Sequence, residues 1–294
     1  MKTRLFLLAP LLLLAACAAS RRQASLTSEP SIERALDLLD SVPHGKPLLR
    51  FLARNGVALE YSNTSGRCSK FGLQARKIYV PADYKGADHV LAAAVGRSAY
   101  IYRLFSESGM DEIISEEEEL AALFQARLAL ELKLNNEHFA RAGGAPEIKA
   151  AFCNYLLESS GYAMAQARKQ ALSSDPVCQR PLDTMENQRV WLEKMRQAIN
   201  DETFYQLLYE RDMARVRKGA LPMSEAMRKD ANLRALPTYE IYRYQRSFYD
   251  KQSDIFTRFA RLYSSEIARD AAWRAARREE IDLAREEFSD CNLP

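Results

Sequence analysis

Apolar residues recur every three or four positions along most of this chain, which is the spacing of amphipathic helices. The pattern predicts helices at 31–39, 48–55, 87–105, 115–134, 146–172, 183–199, 201–218 and 239–288. Two short runs bounded by turn residues, 57–61 and 77–80, predict strands. The sequence therefore predicts an α+β protein that is mostly α-helical, with a small β-sheet packed against helices and a long amphipathic helix near the C-terminus.

The helix predicted at 87–105 is unusually rich in small residues: Ala92, Ala93, Ala94, Gly96 and Ala99. A glycine inside a helix costs about 1 kcal/mol relative to alanine. We expect a close packing contact to offset that cost, against either the 115–134 helix or the sheet.

An acidic run opens the helix predicted at 115–134. Ser115 and Glu118 have the spacing of a capping box, and Glu116–Glu119 lie in the first turn, where the helix dipole favours anions. The same helix has an apolar face that we expect to be buried, formed by Leu120, Leu123, Phe124 and Leu128.

Two series of apolar residues repeat every seven positions in the long C-terminal helix. They are Ile241, Phe248, Ile255 and Leu262, and beside them Tyr242, Tyr249, Phe256 and Tyr263. At helical spacing such a stripe is typical of a buried face; the alternative is an aromatic platform for glycans over 239–263. Further on, charges of both signs, with Arg278 and Asp282 one turn apart, predict a solvated, salt-bridged face.

The N-terminus has the pattern of an export signal. Lys2 and Arg4 precede an apolar run, Leu5–Ala16, that is too short to span a bilayer. The segment Leu14-Ala15-Ala16-Cys17 resembles the lipobox of bacterial lipoproteins. That resemblance implies that residues 1–16 are removed and that Cys17 becomes an acylated first residue. An ordinary secretory signal with a chance cysteine is the alternative.

Because Ala18 is not an aspartate, the lipoprotein resemblance further implies an outer-membrane location facing the periplasm in a diderm bacterium. Removing the signal lowers the formal net charge from +3 to +1, so nothing favours a nucleic-acid partner.

The composition of residues 17–30 predicts a flexible tether. We divide the rest into a small α+β domain, 31–140, and a helical domain, 141–294.

Four cysteines remain after Cys17: Cys68, Cys153, Cys178 and Cys291. In an oxidising compartment an even number indicates two disulfides, for which three pairings exist. Closure of a short loop favours Cys153–Cys178, which leaves Cys68–Cys291. Buried free thiols are the alternative.

The order of elements from Gly45 to Leu134 resembles the zincin metallopeptidase scaffold: a small sheet, a helix bearing His-Glu-x-x-His, and a second helix that supplies a glutamate ligand. The matching segment here is Gly96-Arg97-Ser98-Ala99-Tyr100, and Glu118 or Glu119 corresponds to the third ligand. Glycine and arginine cannot ligate zinc or act as the base. The resemblance therefore implies a lost metal site, and two plain helices packed under a sheet are the alternative.

No cofactor is predicted. His44, His89 and His138 are the only histidines and lack ligand spacing.

The sequence predicts a lipid-anchored cell-envelope protein, a non-catalytic scaffold or binding module, whose partners are the membrane and an envelope protein or peptidoglycan. The alternative is an envelope hydrolase that acts on peptidoglycan or peptides through unidentified groups.

Overall fold

The structure, a computed structural model, describes residues 26–61, 70–72, 74–80, 82–109, 114–157, 161, 163–165, 183–289 and 291. Its strands are β1 (Ala58–Tyr61), β2 (Lys70–Gly72) and β3 (Lys77–Val80). Its first helices are α1 (Pro30–Ser41), α2 (Gly45–Asn55), α3 (Asp88–Ser108), α4 (Ser115–Glu131), α5 (Asn136–Arg141) and α6 (Pro146–Leu157). The later ones are α7 (Met185–Ala198), α8 (Thr203–Arg217), α9 (Met223–Arg234), α10 (Thr238–Ala276) and α11 (Arg278–Glu287). The predicted fold class, α+β and mostly helical, is confirmed.

The three described strands form one small sheet in the order β1-β3-β2. β1 runs parallel to β3, with Leu59 opposite Ile78, and β2 pairs with β3 in the antiparallel sense. Leu59 and Ile78 are buried, so the sheet contributes its apolar face to the core. β2 was not predicted, because three residues are too few for an alternating pattern to stand out.

Helix boundaries follow the local signals where those signals are strong. Gly56 ends α2 in the left-handed conformation, at φ 61°, which glycine adopts without steric cost. Two helices, α5 and α9, lie in stretches for which no element was predicted. Pro222 and Pro237 are the N-cap residues of α9 and α10, so each proline directly precedes a helix. The long C-terminal pattern is also interrupted, at Arg277.

One main hydrophobic core takes in the sheet, α1 to α6 and the C-terminal α11. Phe152 and Phe288 belong to it and contact each other edge to face, with ring centroids 5.3 Å apart. Residues on both sides of position 140 therefore share this core. A second, smaller cluster joins α7, α8 and α10 around Met195, Ala198 and Phe204.

Helix α10 connects the two clusters. Its 39 residues span roughly 58 Å at 1.5 Å per residue. Ile255 and Phe259 at its centre are buried, as the interpretation as a core helix requires, whereas Tyr239 and Tyr242 near its start are 71% and 46% exposed. Among the described residues, no helix is both long enough and apolar enough to cross a membrane.

The disulfide of the described residues joins Cys153 to Cys291, with a Cα–Cα distance of 5.4 Å. The favoured Cys153–Cys178 pairing is therefore wrong, and so is Cys68–Cys291, because each cysteine forms one disulfide. Packing of α11 on α6 brings together two cysteines that are 138 residues apart, and loop length could not reveal this. Cys68 and Cys178 lie outside the described residues.

Gly96 lies at the crossing of α3 with α4 and α1. A Cβ atom built on Gly96 would overlap Leu128 Cδ1 and would lie 3.4 Å from Leu39 Cδ2. Both leucines are fully buried, so neither can swing into solvent to make room. The expectation that small residues on α3 permit a close approach of α4 is confirmed.

We predict that Gly96→Ala destabilises the protein by roughly 1–3 kcal/mol, because overlap with Leu128 outweighs the gain in helix propensity. Thermal unfolding measures the effect. Leu128→Ala is the matched partner: in that background the added methyl has room, so Gly96→Ala should cost much less than in the wild type. A higher melting temperature for Gly96→Ala alone would contradict the packing argument.

Candidate functional site

The segment predicted to correspond to the zinc-binding motif, Gly96 to Tyr100, lies in the middle of α3. Gly96 faces Leu128, as described above. Ser98 is buried and its hydroxyl donates to the carbonyl oxygen of Ala94 at 2.9 Å, a bond within the helix. Two side chains of this segment, those of Arg97 and Tyr100, reach across to other elements.

Arg97 pairs with Glu118 on α4. Its Nη2 donates to Glu118 Oε2, and both side chains are mostly buried, with 26% and 20% of their surface exposed. The structure therefore brings together two of the residues predicted from the zincin resemblance. They meet as cation and carboxylate, so the Glu118 oxygen that would bind a metal instead accepts a hydrogen bond from the guanidinium.

Tyr100 stacks on Phe124 of α4. The ring centroids are 4.1 Å apart and the planes differ by 5°. Burial, reinforced by the nearby Glu266 carboxylate, holds the pKa of the Tyr100 phenol well above its usual value. A buried, protonated phenol is a poor zinc ligand, so Tyr100 acts here as a core residue.

The acidic run that opens α4 has a separate partner for each carboxylate. Glu116 Oε2 accepts from the Met185 backbone N–H at 2.9 Å and so fixes the start of α7. Glu117 Oε2 accepts from the Ile114 backbone N–H at 3.1 Å. The predicted Ser115–Glu118 capping box is wrong, because Ile114 is the N-cap residue and the glutamate three residues on is Glu117.

Glu119, the other candidate for the third ligand, also has a partner. Its Oε2 accepts from the Tyr263 hydroxyl of α10 at 2.6 Å. The structure therefore places Glu118 and Glu119 in two different contacts: Glu118 faces α3 and Glu119 faces α10. They do not converge with Gly96 and Tyr100 on one point.

A buried polar network continues from this contact along α10. Arg127 of α4 is 3% exposed and lies within ion-pair distance of two carboxylates, 3.5 Å from Glu266 Oε2 and 3.3 Å from Asp270 Oδ1. Asp270 is fully buried and accepts from the Tyr155 hydroxyl at 2.9 Å. Burial and the nearby Asp270 carboxylate raise the pKa of Tyr155.

This network was not predicted from the sequence. Its signal was an arginine, Arg127, within the predicted apolar face of α4, together with two acids four residues apart on the long helix. Breaking a buried ion pair by removing one partner typically costs about 3–5 kcal/mol. Because its charges come from α4 and α10, the network fixes the position of α10 on the main core.

The histidines form two separate contacts. His89 and His138 stack face to face, with centroids 4.1 Å apart, beside a cavity of about 440 Å³ that is also lined by Arg34, Asp88 and Arg141. His138 Nδ1 accepts from the Asn135 backbone N–H at 3.3 Å, and burial lowers the pKa of this imidazole.

His44 lies apart from the other two histidines, with Nδ1 2.6 Å from Glu131 Oε1. Within the described ranges, no three His, Cys, Asp or Glu side chains are grouped so that they could hold a metal ion.

The chain matches no protein-family model, and no curated protein or solved structure matches it either. The zincin resemblance therefore rests on the order of elements and on sequence pattern. Cys17, the residue predicted to carry the lipid, lies outside the described residues.

Glu117 gives this region a defined pH dependence. It is fully buried, and burial raises its pKa from 4.5 to about 8, although the Ile114 N–H bond opposes the shift. Below pH 4.5 both the folded and the unfolded chain hold this proton. As pH rises from 4.5 to 8, the unfolded chain releases it first, so the stability contribution of Glu117 falls and then levels off.

We predict that Glu117→Gln raises the melting temperature at pH 8.5 by several degrees and changes it little near pH 4.5. The amide oxygen can still accept from Ile114, and no buried charge forms. Thermal unfolding of both proteins at the two pH values measures the difference. Glu107→Gln, at an exposed carboxylate paired with Arg103, is the control and should have little effect at either pH. An equal gain at both pH values would contradict the assignment.

Proposed function

We propose that this protein is a lipid-anchored component of the cell envelope that acts as a non-catalytic scaffold or binding module, built on a degenerate peptidase-like domain. The observation that carries this proposal is the Arg97–Glu118 pair. At the positions where a zincin places its base and a ligand, a cation and a carboxylate neutralise each other.

The packing of the other segment residues supports the same conclusion. Leu128 fills the space beside Gly96, and Phe124 covers the Tyr100 ring. A catalytic zinc site needs three donor atoms directed to one point and an open position for water. Here the corresponding side chains point into three different contacts, all of which stabilise the fold.

The distance from the predicted anchor to the fold also fits this role. Leu26 is buried, and its carbonyl oxygen accepts from the Leu59 N–H at 2.7 Å, so a described residue that packs on the fold lies nine residues after Cys17. A chain of that length spans at most about 30 Å. A domain tethered so closely would remain near the membrane surface, as expected for an envelope scaffold.

The lipid anchor is tested with Cys17→Ser. We predict that the variant loses the diacylglycerol and the other acyl chains, and that it moves from the detergent phase to the aqueous phase on phase separation, because the buried acyl CH₂ groups supply the membrane affinity. Intact mass spectrometry of both proteins measures the lipid. The same lipid mass and partitioning in the variant would contradict the anchor assignment.

The metal-free interpretation is tested by zinc content. Full-length protein purified from membranes, exposed to excess zinc and then dialysed should retain far less than one zinc per chain by elemental mass spectrometry. Glu119→Gln is the comparison. If wild type retains one zinc per chain and the variant loses it, the envelope hydrolase becomes the better interpretation and the scaffold proposal fails.

A further inference from the structure

A second cavity lies far from α3, in the part of the protein formed by α8, α9 and the start of α10. Its volume is about 370 Å³, at the lower end of the range of small-molecule sites. Ten residues line it: Leu208, Arg211, Asp212, Arg215, Lys229, Asn232, Leu233, Leu236, Tyr244 and Phe248. Along α10 it is roughly 40 Å from the buried Asp270 contact.

One side of this cavity is aromatic. Tyr244 and Phe248 lie one turn apart on α10, with centroids 5.9 Å apart and planes within 16° of parallel. Phe248 in turn contacts the edge of Trp191, with centroids 6.3 Å apart. Leucine side chains contributed by α8 and α9 also line the cavity, which gives it apolar walls for a flat or branched group.

The charge of the lining is positive. Arg211, Arg215 and Lys229 contribute three cations against one carboxylate, that of Asp212. Arg215 lies 3.9 Å from Asp212, and Lys229 lies 3.3 Å from Glu225, which is outside the lining. Arg211 stacks over Trp191 with its guanidinium carbon 4.0 Å from the ring centroid. With Glu225 counted, three cations face two carboxylates, so a net positive charge remains at the polar side of this apolar cavity and favours an anionic ligand.

We propose that this cavity binds a small amphipathic anion, a carboxylate attached to an aromatic or branched apolar group. The apolar part lies between the leucines and the Tyr244–Phe248 pair, and the carboxylate lies near Lys229 and Arg215. This inference rests on the proposed binding-module function and names the chemical class of its ligand.

Trp191 reports on the cavity, since it contacts both Phe248 and Arg211. The chain has two tryptophans, so Trp273→Phe leaves Trp191 as the only one. Full-length Trp273→Phe protein in a non-ionic detergent is titrated with N-acetyl-L-phenylalanine. We expect a saturable change in fluorescence, with a Kd on the order of 1 mM for a ligand of this size. The neutral amide, N-acetyl-L-phenylalaninamide, should bind about tenfold more weakly.

Two neighbouring variants separate the cavity from general charge effects. Lys229→Gln should weaken binding of the acid about fivefold and leave the amide unchanged, because it removes one cation from the lining. Arg228→Gln, an exposed cation one residue away and outside the lining, should change neither. Equal affinity for acid and amide, or equal losses in the two variants, would overturn the proposal.

This outcome is independent of the tests of the proposed function. If the protein is acylated at Cys17 and retains no zinc but shows no saturable response to the acid, the ligand assignment alone fails. If the wild type retains one zinc per chain and Glu119→Gln loses it, the scaffold proposal fails whatever the fluorescence shows.

Discussion

Removal of consecutive glutamates from water at the start of α4 is the constraint on which the rest of the structure depends: Glu116, Glu117 and Glu119 are buried, and Glu118 is partly exposed. Carboxyl groups leave water only when other groups replace their hydration. The helix N-terminus supplies part of this replacement for all four. The remainder comes from a different partner for each side chain. The partner is the start of α7 for Glu116, the helix's own N-cap residue for Glu117, α3 for Glu118 and α10 for Glu119. Three of these contacts, those of Glu116, Glu118 and Glu119, each position a neighbouring helix, so the acidic run orders its surroundings.

The long helix α10 depends on the same surface of α4. Tyr263 is held by Glu119, and further along the buried Arg127 faces Glu266 and Asp270. An apolar contact between the two helices would still form if α10 were shifted by one turn. The buried charge network forms in only one register, so it fixes the position of α10 along α4. Fixed at this point, α10 carries its N-terminal part away from the main core. There it meets α7 and α8 and forms the second cluster around Met195 and Phe204.

The sequence predicted those features that depend on neighbours within one or two turns. The apolar face of α4, the end of α2 at Gly56 and the close packing at Gly96 are all local patterns, and the structure contains them. Pairings between distant residues could not be derived from such patterns. The Cys153–Cys291 disulfide depends on α11 folding back onto α6. In the same way, the four glutamates look like one solvated run until their partners from other elements are known.

The candidate site shows the same limit. A catalytic zinc site keeps its donor atoms unpaired and directed to one point. At the 96–100 segment Arg97 instead pairs with Glu118 and the Tyr100 ring stacks on Phe124, and these contacts stabilise the fold. Around the start of α10, Tyr239 and Tyr242 are exposed, and the second cavity lies beside Tyr244. The rigid contact of α10 with α4 holds them at a defined distance from the main core.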